Sequence, residues 1–241
     1  MRMPRVLEFL GSHGPDVLCL QETKSPVDAF PAEALREVGY EAVHHSAGRW
    51  AGVAIVAASE LAIEDVSVGL PGEVMEDEAR WIEATVDGLR IASVYVPNGR
   101  APGTETFDQK LRFLDAMAVR APSLDVVIGD MNVCPTDLDV YDPAAFVGET
   151  HVTEEERSRL RAVMEAGGLV DAFRVKHPDE PGFTWWDYRA GHFHKRMGLR
   201  IDLALVKEGL AEGLGEVGID RDFRKGPKPS DHAPLLVELD R

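Results

Sequence analysis

Short apolar runs separated by turn signals constrain the fold of this chain more than any other feature of its sequence. A buried strand reads as a continuous apolar run of roughly four to eight residues. On this basis strands are predicted at 16–20, 53–57, 61–68, 81–86, 89–96, 125–128, 199–206, 210–218 and 233–239. Because helices do not alternate regularly with these strands, we expect sheet packed on sheet with helices outside.

Helical periodicity and helix-boundary signals mark further ordered segments. Helices are predicted at 3–12, 31–38, 107–120 and 153–166. In the last of these, Thr153 caps the start, Glu156 completes a capping box, and two glycines end the helix. The pair Asp87-Gly88 is typical of a tight hairpin turn between two of the strands. Strands and helices are therefore both predicted along the chain, with no regular alternation between them.

Length and composition fit one sizeable domain. The chain has 241 residues, 44% of them hydrophobic, and no linker or repeat divides it, so we predict a single domain over 1–241. We expect a cytoplasmic location without membrane contact, because no run is long enough to cross a bilayer and no secretory leader is recognisable. Cys19 and Cys134 form no Cys-x-x-Cys pair and are expected to be buried, free thiols.

The formal net charge of −16 argues against nucleic-acid binding, which usually requires a basic surface. Two features oppose that argument. Clustered carboxylates are what a divalent metal site requires. The basic residues also fall together in two places, Lys195, Arg196 and Arg200 in one, and Arg221, Arg224, Lys225 and Lys228 in the other. A local basic rim and an ordinary solvated surface both remain open.

Polar side chains stand at the ends of several predicted strands, where a rigid backbone can hold a site. These residues are Glu22, Tyr95, Asn98, Asp130, Asn132, Asp231 and His232. Each also has an ordinary explanation, because carboxylates and amides at strand ends commonly form turns. The stretch Asp130-Met131-Asn132, for example, fits an Asx turn.

Asp202 is harder to explain by local structure. It lies among Ile201, Leu203 and Leu205 inside a predicted strand, so its carboxylate would be buried or half-buried. A buried carboxylate is costly unless it is paired or bound to a metal. A histidine partner such as His232 would remove that cost, and we expect the two to pair.

Together these groups suit the hydrolysis of a phosphodiester. A hard cation such as Mg²⁺ binds oxygen ligands, which Glu22 and a second carboxylate would supply. An attacking water needs a base or orienting group, and Asp130 and the Asp202–His232 pair are both candidates. Charge developing at phosphorus needs hydrogen-bond donors. The candidate donors are Asn132, Tyr95 and protonated His232.

The same residues lie in motifs that resemble those of the exonuclease III family, within the endonuclease/exonuclease/phosphatase superfamily. The motifs are LCLQETK (18–24), VYVPNG (94–99), IGDMNVCPTDLD (128–139), FTWWDYR (183–189), GLRIDLALV (198–206) and SDHAPL (230–235). They follow the family's order and span nearly the whole chain. The QE, GDxN and SDH elements are common to the superfamily, whereas TDLD, WWDYR and GLRID resemble the exonuclease III branch.

The resemblance implies a four-layered α/β sandwich, in which two mixed β-sheets lie back to back between helices. It also implies that Glu22 is a metal ligand, with Asp231 and Asp130 as further carboxylates at the metal. Mg²⁺ is the expected metal, with Mn²⁺ as an alternative.

The resemblance implies a role for each of the remaining polar residues. Tyr95 and Asn132 are similar to phosphate-contacting residues of the family. Asp130 is similar to the residue that aligns or deprotonates the attacking water. Asp202 and His232 resemble the family's aspartate–histidine pair.

A pocket for an extruded abasic sugar is implied around Trp185, Leu199 and Ile201. A sugar without a base is flipped out cheaply and fits where a full nucleotide would clash. Core packing is the alternative explanation for the two adjacent tryptophans, and it is stronger for Trp186 than for Trp185.

The chain departs from the family at its start. Family members open with a strand that ends in an asparagine-containing motif, and this chain begins at the helix that follows it. The first strand is therefore expected to be missing. Its loss would leave the metal site one ligand short and a gap in a sheet.

The function implied is a metal-dependent DNA phosphodiesterase that incises 5′ to abasic sites and trims 3′ ends in base excision repair. Its partner would be double-stranded DNA with abasic sites or 3′ blocks, whose backbone Arg80 and Lys24 would contact, and we expect a monomer. Two alternatives stay open. The negative charge favours a sister hydrolase of non-nucleic phosphoesters, and the missing strand favours a truncated, inactive form that only binds DNA.

Overall fold

A computed structural model of the chain describes residues 2–48, 50–226 and 228–240. The chain divides into two compact units. Unit one comprises Met1–Tyr95 and Ser123–Gly129, and unit two comprises Val96–Pro122 and Asp130–Arg241. The single domain over 1–241 stays a prediction, and each unit is described on its own.

Unit one is built mainly of strands. In chain order its elements are α1 (Met3–His13), β1 (Val17–Gln21), α2 (Ala32–Arg36), β2 (Tyr40–His45), β3 (Val53–Ala58), β4 (Ile63–Val68), β5 (Trp81–Val86), β6 (Leu89–Tyr95) and β7 (Val126–Asp130), of which the last residue belongs to unit two. One antiparallel sheet has the order β1-β3-β2, and β4, β5, β6 and β7 are neighbours in that order in a second sheet.

The central strand β3 explains why its sequence is apolar at every position. Successive side chains of a strand point to opposite faces. Val56 on one face packs in a cluster with Leu10 and Leu35, whereas Ile55 on the other packs in a cluster with Ile82. Both faces of β3 are thus buried, and each such aliphatic side chain contributes about 1.5–3 kcal/mol of hydrophobic stabilisation.

The hairpin between β5 and β6 has the predicted turn. Val86 pairs with Leu89, so Asp87 and Gly88 form a two-residue loop. Both residues have positive φ, 48° and 78°. Such φ values are those of a type I′ turn, whose twist matches that of the flanking strands.

Unit two carries most of the helices. Its elements are α3 (Glu105–Arg120), α4 (Glu154–Gly167), β8 (Leu169–Asp171), α5 (Ala172–Lys176), α6 (His192–Lys195), β9 (Asp202–Lys207), β10 (Leu214–Ile219) and β11 (Leu235–Leu239). Strands β8 and β9 are antiparallel, as are β10 and β11. The capping box of α4 is present between Thr153 and Glu156, and Gly168 ends the helix in the left-handed conformation.

Several predicted boundaries were wrong. The strand predicted at 210–218 starts only at Leu214, because Glu208–Gly213, with a glycine near each end, forms a 3₁₀ helix. The strand predicted at 199–206 starts at Asp202, because the N–H groups of Ile201 and Asp202 donate to a side-chain hydroxyl and not to a neighbouring strand. The strand β2 was not predicted, since its glutamate and two histidines obscure the apolar pattern.

Two further properties follow from the described ranges. Cys19 and Cys134 are both free thiols, as predicted, but Cys134 is buried whereas Cys19 is only partly buried. Among the helices that the structure describes, none combines the length and apolar character needed to cross a bilayer.

Candidate active site

In unit one, Glu22 lies directly after β1 and contacts the tyrosine at the end of β6. The Tyr95 hydroxyl donates to Glu22 Oε1 at 2.5 Å, and Lys24 Nζ lies 2.9 Å from Glu22 Oε2. Glu22 and Lys24 both have positive φ, 52° and 48°, which non-glycine residues rarely adopt. The chain therefore turns sharply here and leaves an exposed carboxylate between a hydroxyl and an ammonium group.

Arg80 orients Tyr95 within the same unit. Its guanidinium lies 4.6 Å from the centre of the tyrosine ring, and Nη1 donates to the Tyr95 carbonyl at 3.2 Å. It also pairs with Glu78 at 2.6 Å. The structure shows Arg80 and Lys24 each paired with residues of unit one. DNA contact by either side chain stays a prediction.

In unit two, Asp130 and Asn132 form one rigid turn. The Asn132 backbone N–H donates to Asp130 Oδ1 at 2.9 Å, and Asn132 Nδ2 donates to Asp130 Oδ2 at 3.1 Å and to the Val96 carbonyl at 2.9 Å. The Asx turn considered from the sequence is thus present. Both side chains are nearly buried, which a surface turn alone does not require.

A buried lysine donates hydrogen bonds to the backbone of this turn. Lys110 of α3 is inaccessible to solvent, and its Nζ donates to the Asn132 carbonyl at 2.6 Å and to the Asn98 carbonyl at 3.2 Å. It also forms an ion pair with buried Glu156 and a hydrogen bond to Thr150. Burial lowers the pKa of Lys110, and the charge of Glu156 opposes that change.

We predict that Lys110→Met lowers the free energy of unfolding by about 3–5 kcal/mol, because it leaves the Glu156 carboxylate buried without its cation. Urea denaturation monitored by circular dichroism measures this. The matched control is Arg161→Met, which removes the cation of an exposed pair with Glu154 on the same helix and should cost under about 1 kcal/mol. Equal effects of the two changes would contradict the prediction.

Two residues in this region were given no role from the sequence, although Asn98 was noted as a polar residue at a strand end. Asn98 is exposed, and its Nδ2 donates to Asn132 Oδ1 at 3.3 Å. His151 Nδ1 lies 2.5 Å from the Asn132 carbonyl, and burial together with the charge of Lys110 lowers the pKa of His151 to about 4. The position of Asn98 after a strand was a usable signal, whereas nothing in the local sequence marks His151.

The predicted pair of Asp202 and His232 is present. His232 Nδ1 lies 2.8 Å from Asp202 Oδ2 and 3.1 Å from Oδ1, and His232 Nε2 lies 4.0 Å from Asp130 Oδ2. Burial alone would lower the pKa of His232, but the charge and hydrogen bond of Asp202, with help from Asp130 and Asp231, raise it to about 10. The imidazole therefore holds its second proton at neutral pH.

Asp231 and the predicted pocket residues lie beside this pair. Trp185 Nε1 donates to Asp231 Oδ2 at 3.2 Å, and Trp185 forms isolated bridges with Leu199 and His232. Leu199 and Ile201 are buried in a cluster against which Trp185, itself partly exposed, packs. Unit two thus brings an apolar, indole-lined patch next to its polar groups.

Trp186 is a core residue, as the alternative explanation held. It is 2% exposed and makes an edge contact with the Phe193 ring. Arg224 is also buried, where Nη2 donates to the Trp186 carbonyl and Nε to the Ser230 carbonyl. Arg224 therefore does not contribute to a basic rim.

Arg200, like Arg224, does not contribute to a basic rim. It is wholly buried and pairs with Asp139 at 2.6 Å and with Asp171 at 2.7 Å. The two carboxylates offset the cost of burying the guanidinium. Of the two basic groups, the residues that remain exposed are Lys195, Arg196, Lys225 and Lys228.

Each unit offers single carboxylates as oxygen donors, the ligand type that a hard divalent cation takes. Within the part of the chain that the structure describes, no three His, Cys, Asp or Glu side chains converge as a metal-binding group. Mg²⁺ is commonly held by one or two carboxylates, with water at its other positions. In unit one, the exposed carboxylate of Glu22, which pairs with Lys24, can supply an oxygen ligand. In unit two, the carboxylate of Asp231 can do so.

Comparisons with known proteins agree with this architecture. Residues 2–232 match the model of the endonuclease/exonuclease/phosphatase family. Exodeoxyribonuclease III of Haemophilus influenzae is 34% identical over 98% of this chain and 94% of its own length. Two solved structures are similar over 100% of this chain and 95% of theirs. The AP endonuclease of Archaeoglobus fulgidus has a TM-score of 0.94 at 34% identity, and the 3′-5′ exonuclease NExo of Neisseria meningitidis has 0.93 at 36%.

The chain belongs to the endonuclease/exonuclease/phosphatase family, and within it to the exonuclease III type. This confirms the predicted family and the predicted class, a hydrolase of nuclease type. The α/β fold with mixed sheets flanked by helices is confirmed as well. Nucleases of this family depend on a divalent metal ion.

Proposed function

We propose that the chain is a DNA repair nuclease that hydrolyses the phosphodiester 5′ to abasic sites and trims 3′ ends, with Mg²⁺ as its metal. The observation that carries the proposal is the cluster in unit two of Asp130, Asn132, Asp202 and His232 beside an apolar patch. The relatives named exodeoxyribonuclease III and AP endonuclease support a DNA substrate.

The geometry supports a division of labour among the residues of unit two. Asp130 aligns or deprotonates the attacking water, since its carboxylate is held rigidly by Asn132. His232 donates a hydrogen bond to the phosphate, and Asp202 holds the His232 ring and its charge. Asn132 lies beside the phosphate, and it donates to the phosphate by exchanging its Nδ2 hydrogen bond to Asp130 or to the Val96 carbonyl. A histidine that keeps its proton at neutral pH suits the role of donor, which leaves the basic role to Asp130.

The residues of unit one take the remaining roles. Glu22 binds the metal, and Tyr95, which is oriented by Arg80 and by Glu22, contacts the phosphate. Asp231 belongs to unit two, where the Trp185 indole fixes its carboxylate, and it is a further carboxylate proposed for the metal. When bound, the metal supplies positive charge that stabilises the transition state.

The patch formed by Trp185, Leu199 and Ile201 supports preference for an abasic site. It is apolar, and only Trp185 is partly exposed. A deoxyribose without its base offers a small, weakly polar surface and lacks the stacking that holds a normal nucleotide in the duplex. The patch therefore favours a flipped abasic sugar over an intact nucleotide.

A second candidate function is hydrolysis of a non-nucleic phosphoester. Its support is electrostatic, because the net charge is −16 and Arg200 and Arg224 are buried and do not face a substrate. A protein that binds many phosphates usually presents a basic surface. The apolar patch opposes this candidate, since a soluble sugar phosphate gives it nothing to bind.

Cleavage of an end-labelled duplex with one tetrahydrofuran abasic analogue tests the proposal. We expect a nick immediately 5′ to the lesion in Mg²⁺, a nick at a different rate in Mn²⁺, and none after EDTA. A matched intact duplex controls for lesion preference, and inositol phosphates offered in the same buffer test the second candidate. Metal-dependent release of phosphate from inositol phosphates without a nick in the duplex would overturn the proposal.

A further inference from the structure

Thr184 is a fully buried residue of unit two whose hydrogen bonds reach the backbone on both sides of the Asp202–His232 pair. Its Oγ1 accepts from the backbone N–H of Ile201 at 3.2 Å and from that of Asp202 at 3.1 Å. Its carbonyl accepts from the N–H of Ala233, the residue after His232, at 2.7 Å. One residue thus contacts the two segments that carry the pair.

The two residues that follow Thr184 continue the same connection. Trp186 donates its backbone N–H to the Asp231 carbonyl at 3.0 Å. Trp185 forms isolated bridges with Leu199 on one side and with His232 on the other. This short strip is therefore bonded both to the backbone that leads into Asp202 and to the backbone that carries His232.

We propose that Thr184 is a positioning residue that sets the position of the Asp202 carboxylate relative to the His232 ring. Its hydroxyl fixes the backbone at Asp202, and its carbonyl fixes the backbone after His232. The activity part of this inference rests on the proposed function, whereas its geometric part does not.

The hydroxyl is the essential group for this role. Strand β9 starts only at Asp202, and the N–H groups of Ile201 and Asp202 both converge on Thr184 Oγ1. A hydroxyl oxygen has two lone pairs and can accept both bonds, which an aliphatic side chain cannot do. Without it, two donors in a buried region lose their acceptor, and the backbone at Asp202 must shift to satisfy them.

A small shift has a large consequence at this position. Asp202 contacts His232 Nδ1 at 2.8 Å, within hydrogen-bond distance, and the opposite ring nitrogen lies 4.0 Å from Asp130. Moving Asp202 turns the ring and thereby displaces that second nitrogen. Misplacement of a reacting group by about 1 Å can lower turnover by roughly 10²-fold.

The test compares Thr184→Val, which keeps the shape of the side chain but lacks the hydroxyl, with Thr184→Ser, which keeps the hydroxyl. We expect Thr184→Val to lower kcat on the abasic duplex by about tenfold to 10²-fold with KM nearly unchanged, and Thr184→Ser to remain close to the natural chain. Equal kcat for Thr184→Val and the natural chain would overturn the proposal.

A spectroscopic measurement separates this proposal from the proposed function. The His232 ring N–H that faces Asp202 should give a low-field proton resonance, assigned by its loss in His232→Ala. We expect this resonance to shift or broaden in Thr184→Val and to persist in Thr184→Ser. If the natural chain does not cleave DNA, the proposed function fails, but this comparison still decides the role of Thr184. An unchanged resonance in Thr184→Val would refute it.

Thr184→Ala provides a second hydroxyl-free variant should Thr184→Val not fold. Compared with Thr184→Ser it differs only by the hydroxyl, so the same loss of kcat and the same shift of the His232 resonance are expected. If both hydroxyl-free variants fail to fold while Thr184→Ser folds, Thr184 serves stability and not positioning, and the proposal is wrong.

Discussion

Asp130→Asn should lower the rate of abasic-site cleavage by about 10²–10⁴-fold, the range that a general base contributes. An amide cannot accept the proton of an attacking water at neutral pH, and it lacks the charge that orients that water. The change keeps the size of the side chain. It therefore removes the proposed chemistry of Asp130 with little change in packing, which single-turnover cleavage of the abasic duplex measures.

The control for this change must address the buried turn. Asp130 accepts two hydrogen bonds from Asn132. An amide at position 130 would place its own N–H donors against the N–H donors of Asn132. Thermal unfolding therefore accompanies the rate measurement. Asp137→Asn makes the same chemical change at a carboxylate whose side chain is 70% exposed, and it should leave the rate unchanged. If folded Asp130→Asn cleaves as fast as Asp137→Asn does, Asp130 does not take part in the reaction.

The sequence predicted the polar groups that stand at strand ends, for a simple physical reason. An apolar strand fixes the direction of its last residues, so a carboxylate placed there has few alternative positions. Asp202 was assigned a partner because a carboxylate among aliphatic neighbours needs one. His232, thirty positions away, is that partner, at 2.8 Å from Asp202. Asp130 and Asn132 were found because they stand at the end of a predicted apolar strand.

The groups that support the site were not predictable in this way. Lys110 lies in a helix and meets Glu156, and Arg200 meets Asp139 and Asp171, each across a long stretch of chain. Charged side chains are almost never fully buried unless paired, so local sequence favours exposure for both. Only the three-dimensional partners reverse that expectation. The boundary error at β9 has the same origin, because it results from the Thr184 hydroxyl.

His232→Ala should lower turnover on the abasic duplex by at least about 10²-fold, because it removes both a donor to the phosphate and a positive charge beside Asp130. Asp202→Asn should have a smaller effect of the same kind, since Asp202 acts through the ring that it holds. Steady-state kinetics of the two single variants and the double variant measure this. Near-normal turnover of a folded His232→Ala protein would refute the role assigned to His232.

The double variant distinguishes a shared role from two separate ones. If Asp202 works only through His232, then Asp202→Asn adds little in the His232→Ala background, whereas independent roles predict that the two effects multiply. Stability gives a second comparison. The pKa of His232 is raised from 6.5 to about 10, so the pair stabilises the fold fully below pH 6.5 and loses that contribution as the pH rises through about 10. His232→Ala should lack this part of the pH dependence of unfolding, and a profile with the same alkaline decline would assign that decline to other groups.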